Sequence, residues 1–301
     1  MVNYIERVLT TNCFPNLFEV SENTLYRPMF TNSEIELIVK VRASYATFNG
    51  DAIRLDSFKN GKCVLSKVGF YDFISSNLLV SIGSQGMTTS DKLINELVTD
   101  PALSKVNECK KLLLNRIKAK GKLKSVNDVL AINELSNIIA VSVYLEDECG
   151  NVLFVERSKN VIVSAKMLSV ACSGSMTTED LSSSNPFLAC AFRELKEELN
   201  IEADLKFQQL IISLEKYQPV VLVKGIVKGN FTNYKKDIMK AKDFNVENTH
   251  VYSVPKKLVK SMLNTYKFTD AAGYQLTLNS KSGLFDFLKA NDKVDVRKYS
   301  L

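Results

Sequence analysis

Glu194, Glu197 and Glu198 are spaced i, i+3 and i+4 within Arg193-Glu194-Leu195-Lys196-Glu197-Glu198-Leu199-Asn200-Ile201. On a helix that spacing brings the three carboxylates to one side, where like charges destabilise the helix unless something positive compensates. Arg193 is placed to pair with Glu197 but cannot offset all three, and Lys196 points elsewhere. A bound Mg²⁺ or Mn²⁺, held by oxygen ligands, would resolve the conflict. Without one, the same residues form a solvated acidic face. Other chemistries have little to work with. The chain has a single histidine, His250, and its six cysteines (Cys13, Cys63, Cys109, Cys149, Cys172, Cys190) include no Cys-x-x-Cys pair. That spacing suits reduced thiols rather than a disulfide framework or a zinc site. Catalysis by this chain must therefore lean on carboxylates.

The elements around these glutamates have clear punctuation. Asn185-Pro186 signals a helix start, since asparagine is a preferred cap and proline suits the first helical position. Leu188, Ala191, Phe192, Leu195 and Leu199 follow at helical spacing and are expected to face the core. Asn200 tolerates the left-handed conformation of a helix stop. Upstream, Ile138–Leu145 and Val152–Ser158 flank the turn Asp147-Glu148-Cys149-Gly150-Asn151 and read as a hairpin. A further strand, Met167–Cys172, runs into Ser173-Gly174-Ser175, followed by a polar loop over Met176–Ser184. Downstream come strands at Phe207–Leu214 and Pro219–Val227, with helices near 234–242, 255–264 and 282–290. Strands on both sides of one central helix, closed by later helices, describe a layered α/β domain.

The stretch 193–201 resembles the second half of the Nudix box, Arg-Glu-apolar-x-Glu-Glu-x-Gly-apolar, with Asn200 in place of glycine. Both residue types accept positive φ. The resemblance implies an α/β/α sandwich with a mixed sheet and a metal-dependent pyrophosphohydrolase activity. It implies that Glu194 and Glu198 hold divalent metal, that Glu197 is a ligand or metal-water partner, and that Arg193 orients a glutamate by a salt bridge. It also makes Gly174 a substrate-side position. The first half of the pattern fits less well. The loop from Gly174 to Arg193 is longer than the pattern, and Asn185 stands where a further glutamate belongs. Glu179 and Asp180 are candidate substitutes, and Glu179 and Glu247 are candidate general bases.

Residues 1–133 are expected to form an N-terminal α+β extension, with the Nudix-like domain over 134–301. Residues 1–80 read as short strands between turns. Among them Glu34–Val41 alternates like a half-buried strand, and Asn49-Gly50 and Asn60-Gly61 are turn signals. From about 89 to 133 the period becomes helical, with Ser90-Asp91 opening one helix, Pro101 separating the next and Gly121 ending it. Phe70–Asn77, Leu135–Val141 and Glu156–Val161 together resemble a Nudix branch with an N-terminal extension, some members of which cleave UDP-glucose and UDP-galactose. In that reading Arg157 and Lys159 contact phosphate or nucleotide. Read alone, Tyr71 and Phe73 are strand aromatics and Arg157-Ser158 a strand end.

Apolar content of 46% and charged content of 24% are ordinary for a soluble protein. No apolar run spans a membrane and no secretory pattern opens the chain, so a cytoplasmic location is expected. The net charge of +6 gathers between Lys105 and Lys124. That segment reads as a solvated helix face over a buried stripe of Leu112, Leu113, Leu114 and Ile117, and a phosphate-rich partner is not required. The leading expectation is hydrolysis of a nucleoside diphosphate linked to another group, a UDP-sugar first, with an oligomeric state the sequence leaves open and a homodimer compatible with it. The alternatives are a catalytically degenerate Nudix domain that binds a nucleotide metabolite, and an RNA-end hydrolase.

Overall fold

The computed structural model describes residues 4–11, 13–43, 48–81, 101–159, 161, 166–280 and 294–301. The chain divides into two compact units. The first comprises Leu9–Ile139 with Leu214–Pro219, and the second Met1–Val8, Ala140–Ser213 and Val220–Leu301. The short strand β1 (Val8–Thr10) lies across that division of the chain.

In the first unit, β2 (Leu17–Val20), β3 (Asp51–Lys59) and β4 (Lys62–Gly69) form a sheet of order β2-β4-β3. Lys59 pairs with Lys62, leaving Asn60 and Gly61 as a two-residue turn with φ of 52° and 80°. Positive φ at both positions is what this hairpin turn demands. The stretch 34–41, expected as a strand, is instead helix α1 (Asn32–Arg42). Thr31 and Glu34 cap it reciprocally: the Thr31 N–H donates to Glu34 Oε2 at 3.0 Å, and the Glu34 N–H donates to Thr31 Oγ1 at 3.4 Å. Its buried residues, Ile38 and Val39, follow the half-buried Ile35 at i+3 and i+4. The capping box and helical period therefore prevail over the apparent alternation.

Tyr71 and Phe73 are likewise helical, in α2 (Phe70–Ser75), not strand aromatics. Asn49-Gly50, expected as a turn, has neither a turn nor a positive φ, and Asn49 Oδ1 instead accepts from the Tyr71 N–H at 2.7 Å at the start of that helix. Beyond α3 (Asn77–Ser81), the next element among the described residues is the long helix α4 (Pro101–Ala119), which gives way to Gly121 at φ 82°, and α5 (Val126–Leu130) follows. Leu113 and Ile117 of α4 are buried, whereas Leu112, expected in the same stripe, is 53% exposed and Leu114 is half-buried. The helix start expected at Ser90-Asp91 and the helix expected over 282–290 lie outside the described residues.

The second unit is built on a mixed sheet. Strands β5 (Ala140–Asp147) and β6 (Asn151–Arg157) are adjacent and antiparallel. The strand expected over Met167–Cys172 breaks at Ala171 into β7 (Leu168–Val170), paired with β6, and β8 (Cys172–Ser175), paired with β5. Thr178–Ser182 forms one short 3₁₀ turn within the expected loop and leads to helix α6 (Pro186–Leu199). Next come β9 (Asp204–Ser213), β10 (Gln218–Val227), two short helices α7 (Lys235–Ile238) and α8 (Phe244–Glu247), strand β11 (Asn248–Pro255), and helices α9 (Val259–Thr265) and α10 (Asp270–Ser280). The path β9-β10-β5-β6-β11 contains parallel (β10–β5) and antiparallel (β11–β6) neighbours.

Alternation along β5 assigns the two faces of this sheet. Ser142 donates to Gln275 of α10 at 3.0 Å, and Tyr144 packs in a cluster with Val259, Met262, Ala272 and Leu276. Val141, Val143 and Leu145 thus face the other way. Cys172 is the register partner of Val143, and its thiol feels Glu198 and Glu194 of α6. Cross-strand partners share a face, so α6 covers the side opposite α9 and α10. The result is a three-layer α/β/α sandwich.

Candidate metal and phosphate site

Helix α6 begins where the sequence indicates. The Asn185 side chain accepts from the Leu188 N–H at 3.1 Å, Pro186 opens the helix, and Asn200 ends it at φ 52°, ψ 39°. Its buried face is rotated from the expected one. Phe187, Cys190, Ala191, Glu194, Leu195, Glu198 and Leu199 are buried, while Phe192 is 47% exposed and Leu188 only half-buried. The spacing i, i+3/i+4, i+7/i+8, i+11/i+12 is equally periodic, but it carries two glutamates into the interior. Burying a carboxylate is costly without compensation, so these two require explanation.

Glu194 reaches its place because Gly174 of β8 has no side chain. A Cβ there would fall 1.9 Å from Glu194 Cδ. Arg193 Nη1 donates to Glu194 Oε1 at 2.8 Å and to Glu197 Oε2 at 3.2 Å. The rest of that guanidinium is fixed by Asp180, whose two oxygens accept from Nε at 3.1 Å and Nη2 at 3.0 Å, and by the Ser175 carbonyl at 3.0 Å. Such a fork-to-carboxylate pair is geometrically specific. Burial works against the arginine's charge, and Asp180 and then Glu194 more than offset it, so its pKa is raised. Asp180 also accepts from the Thr177 N–H at 2.8 Å. It is thus fully engaged as the anchor of Arg193, and Glu179 beside it is exposed.

Glu198 is enclosed. Its Oε1 accepts from the Ser173 N–H at 3.1 Å and its Oε2 from Asn248 Nδ2 at 3.0 Å, yet Asn248 Oδ1 is buried without a partner. Desolvation, then Glu247, push the Glu198 carboxyl up to about 8, and Arg157 acts in the opposite direction. Desolvation also pushes Glu194 up to about 7 against the pull of Arg193. Glu247 is raised by burial, and its carboxylate lies 3.6 Å from Arg157 Nη2. Glu197 faces outward, neutralised by Arg193 and by Lys242 Nζ at 3.3 Å.

The structure therefore brings Glu194, Glu198, Glu247 and Arg157 into one electrostatic neighbourhood and commits Glu197 to ion pairs. Lys159 is exposed. Among the described residues, no three His, Cys, Asp or Glu side chains converge to hold a metal ion. Sequence reasoning missed Asn248 and Lys242, which lie about fifty residues beyond the helix and carry no motif. The one available clue was the polar pair Glu247-Asn248 at the start of a strand.

No family model and no curated protein matches this sequence. Solved structures similar to it include Nudix and MutT proteins, and the three described next each cover 48% of this chain. A MutT protein from Methanosarcina mazei Go1 is 15% identical, over 48% of this chain and 96% of that one, with a TM-score of 0.34. A mutT/nudix family protein from Listeria innocua is 14% identical, over 48% and 92%, with a TM-score of 0.34. The Nudix domain of Shewanella oneidensis NrtR, in complex with ADP ribose, is 12% identical, over 48% and 86%, with a TM-score of 0.31. Among the described residues no helix is long and apolar enough to cross a membrane.

Proposed function

We propose that the second unit hydrolyses the diphosphate bridge of a nucleoside diphosphate linked to another group, with a UDP-hexose as the first substrate to test. The observation that carries this reading is the pair Glu194 and Glu198, two buried carboxyls one turn apart that burial raises against the pull of Arg193 and Arg157. The donor chemistry fits Mg²⁺ or Mn²⁺. Mg²⁺ is commonly held by one or two carboxylates, with waters and substrate phosphates completing its shell, so two helix glutamates suffice where a third does not converge. When bound, the ion would neutralise charge on the diphosphate and acidify the attacking water.

The chain's own groups have separable tasks. Arg193, anchored by Asp180, holds Glu194 in place. Ser173 and Asn248 fix the two oxygens of Glu198. Glu247, beside Arg157 and close enough to raise Glu198, is positioned to accept a proton from water. Arg157 and Lys159 supply positive charge for phosphate, and Gly174 keeps the strand backbone clear beside Glu194. Incubation with UDP-hexoses, ADP-ribose and nucleoside triphosphates in Mg²⁺ or Mn²⁺ tests the proposal, with release of nucleoside monophosphate as the supporting result.

A second reading is a nucleotide-binding domain without turnover. It is favoured by the absence of a converged ligand triad among the described residues and by the full engagement of Asp180 with Arg193. Tight binding of a nucleotide without products under either metal would select it.

A further inference from the structure

Between Lys105 and Lys124 the chain carries eight basic residues and one acid, Glu108, so the remainder has no positive excess. Helix α4 sorts these charges onto two flanks beside its buried line of Val106, Cys109, Leu113 and Ile117. One flank, at 105, 108, 112 and 116, is paired with acids: Lys105 with Glu34 at 3.1 Å, and Arg116 with Glu134 at 2.6 Å. The other, at 107, 110, 111, 114 and 118, carries Lys110, Lys111 and Lys118, with no ion pair among the described residues. Arg42 of α1 joins it, donating through Nη2 to Asn107 Oδ1 at 3.2 Å, while its Nε is buried without a partner. Arg42 and Lys110 are both disfavoured by burial, and Lys110 additionally by Arg42. Two like charges are thus held together, with no acid paired to either among the described residues. Lys122 continues the row beyond Gly121 and is exposed. Glu134 lies near Lys120, and Asp128 near Lys124.

We infer that the unpaired flank of this helix, with Arg42, Lys110, Lys111, Lys118 and Lys122, is a docking track for the phosphodiester backbone of a nucleic acid. Free phosphates in a row supply the negative charge this flank lacks. A membrane surface fits less well. The apolar side of α4 is spent in the core, the one exposed leucine of that helix, Leu112, lies on the opposite flank, and the apolar residue on the track, Leu114, is half-buried, so the track offers lipid no exposed apolar side chain. Residues 101–139 contain no aromatic side chain, so the track offers bases no stacking platform and reads charge rather than sequence. This inference concerns the first unit alone and does not depend on the hydrolase reading.

The test compares two variants with equal charge loss, Lys111→Gln/Lys118→Gln on the track and Lys105→Gln/Arg116→Gln on the paired flank. Fluorescence anisotropy with a single-stranded RNA of mixed sequence is followed over a salt series, with circular dichroism confirming that each variant is folded. Wild type should bind with little sequence preference and a steep salt dependence. The track variant should lose at least tenfold in affinity, and its log–log salt slope should shrink by about 1.4, roughly 0.7 per lost single-strand contact. The paired-flank variant should change less than twofold. Absence of binding at low salt, equal losses in both variants, or binding to phosphatidylserine vesicles in preference to RNA would each overturn the inference.

Discussion

Substitution of Glu198 by glutamine should stabilise this protein at alkaline pH in the absence of metal. The carboxyl is buried and raised from 4.5 to about 8, first by desolvation and then by Glu247. Because the folded-state value lies above the unfolded one, the native state keeps a proton that the unfolded chain has released across that window. Stability therefore falls as pH rises through it. At roughly 1.36 kcal/mol per pH unit, the displacement corresponds to at most about 5 kcal/mol. Glu247 titrates together with Glu198 and remains in the variant, so a gain of about 2–3 kcal/mol is expected. Both hydrogen bonds survive the change. The new amide oxygen accepts from the Ser173 N–H, and after a flip of Asn248 its partnerless Oδ1 accepts from the new NH₂. Urea unfolding in EDTA measures this at about pH 5 and about pH 9. The gain should appear at the higher pH and fall to about 0.5 kcal/mol or less at the lower, where the native carboxyl is already protonated. A variant less stable than wild type at the higher pH, or an equal gain at both, would refute the reasoning.

Substitutions at three further positions separate the parts of the site. Gly174→Ala should fold, because the clash falls on the movable end of Glu194, with stability within about 1 kcal/mol of wild type; Mn²⁺ binding followed by electron paramagnetic resonance should weaken at least tenfold. Asp180→Asn removes the buried anchor of Arg193 and should cost about 2–4 kcal/mol by urea unfolding; a loss under about 0.5 kcal/mol would show that Glu194 and Glu197 hold the arginine alone. Asn185→Ala should cost about 1 kcal/mol through the lost cap, whereas Asn185→Asp should retain both stability and activity. Loss of turnover in both Asn185 variants with stability intact would mean that this residue touches metal or substrate instead.

The legible parts of the sequence were those set by local chemistry. Asn185-Pro186 and Asn200 bounded α6, and Asn60-Gly61 placed a hairpin, because caps and positive-φ turns depend on a few adjacent residues. Glu34–Val41 misled because its apolar residues satisfy two periods at once. The deciding signal was Thr31-Asn32-Ser33-Glu34, a capping box just upstream. Phe192 misled because α6 has two plausible apolar faces, and the sheet against which it packs selects the one containing Glu194 and Glu198. Asp180 was one of two loop acids, and only the bend of that loop turns it inward to Arg193 while leaving Glu179 in solvent. Asn248 could not be read locally, since its partner Glu198 lies across the fold on another layer.

The central claim is cleavage of a P–O–P bridge at this site, and solvent isotope incorporation tests it most directly. Turnover of a UDP-hexose with Mg²⁺ or Mn²⁺ in water enriched in oxygen-18 should give UMP and a sugar phosphate, with one solvent oxygen in only one of the two products. That incorporation should be lost with Glu198→Gln. No product from the nucleotide panel under either metal, or orthophosphate as the first product, would contradict the account.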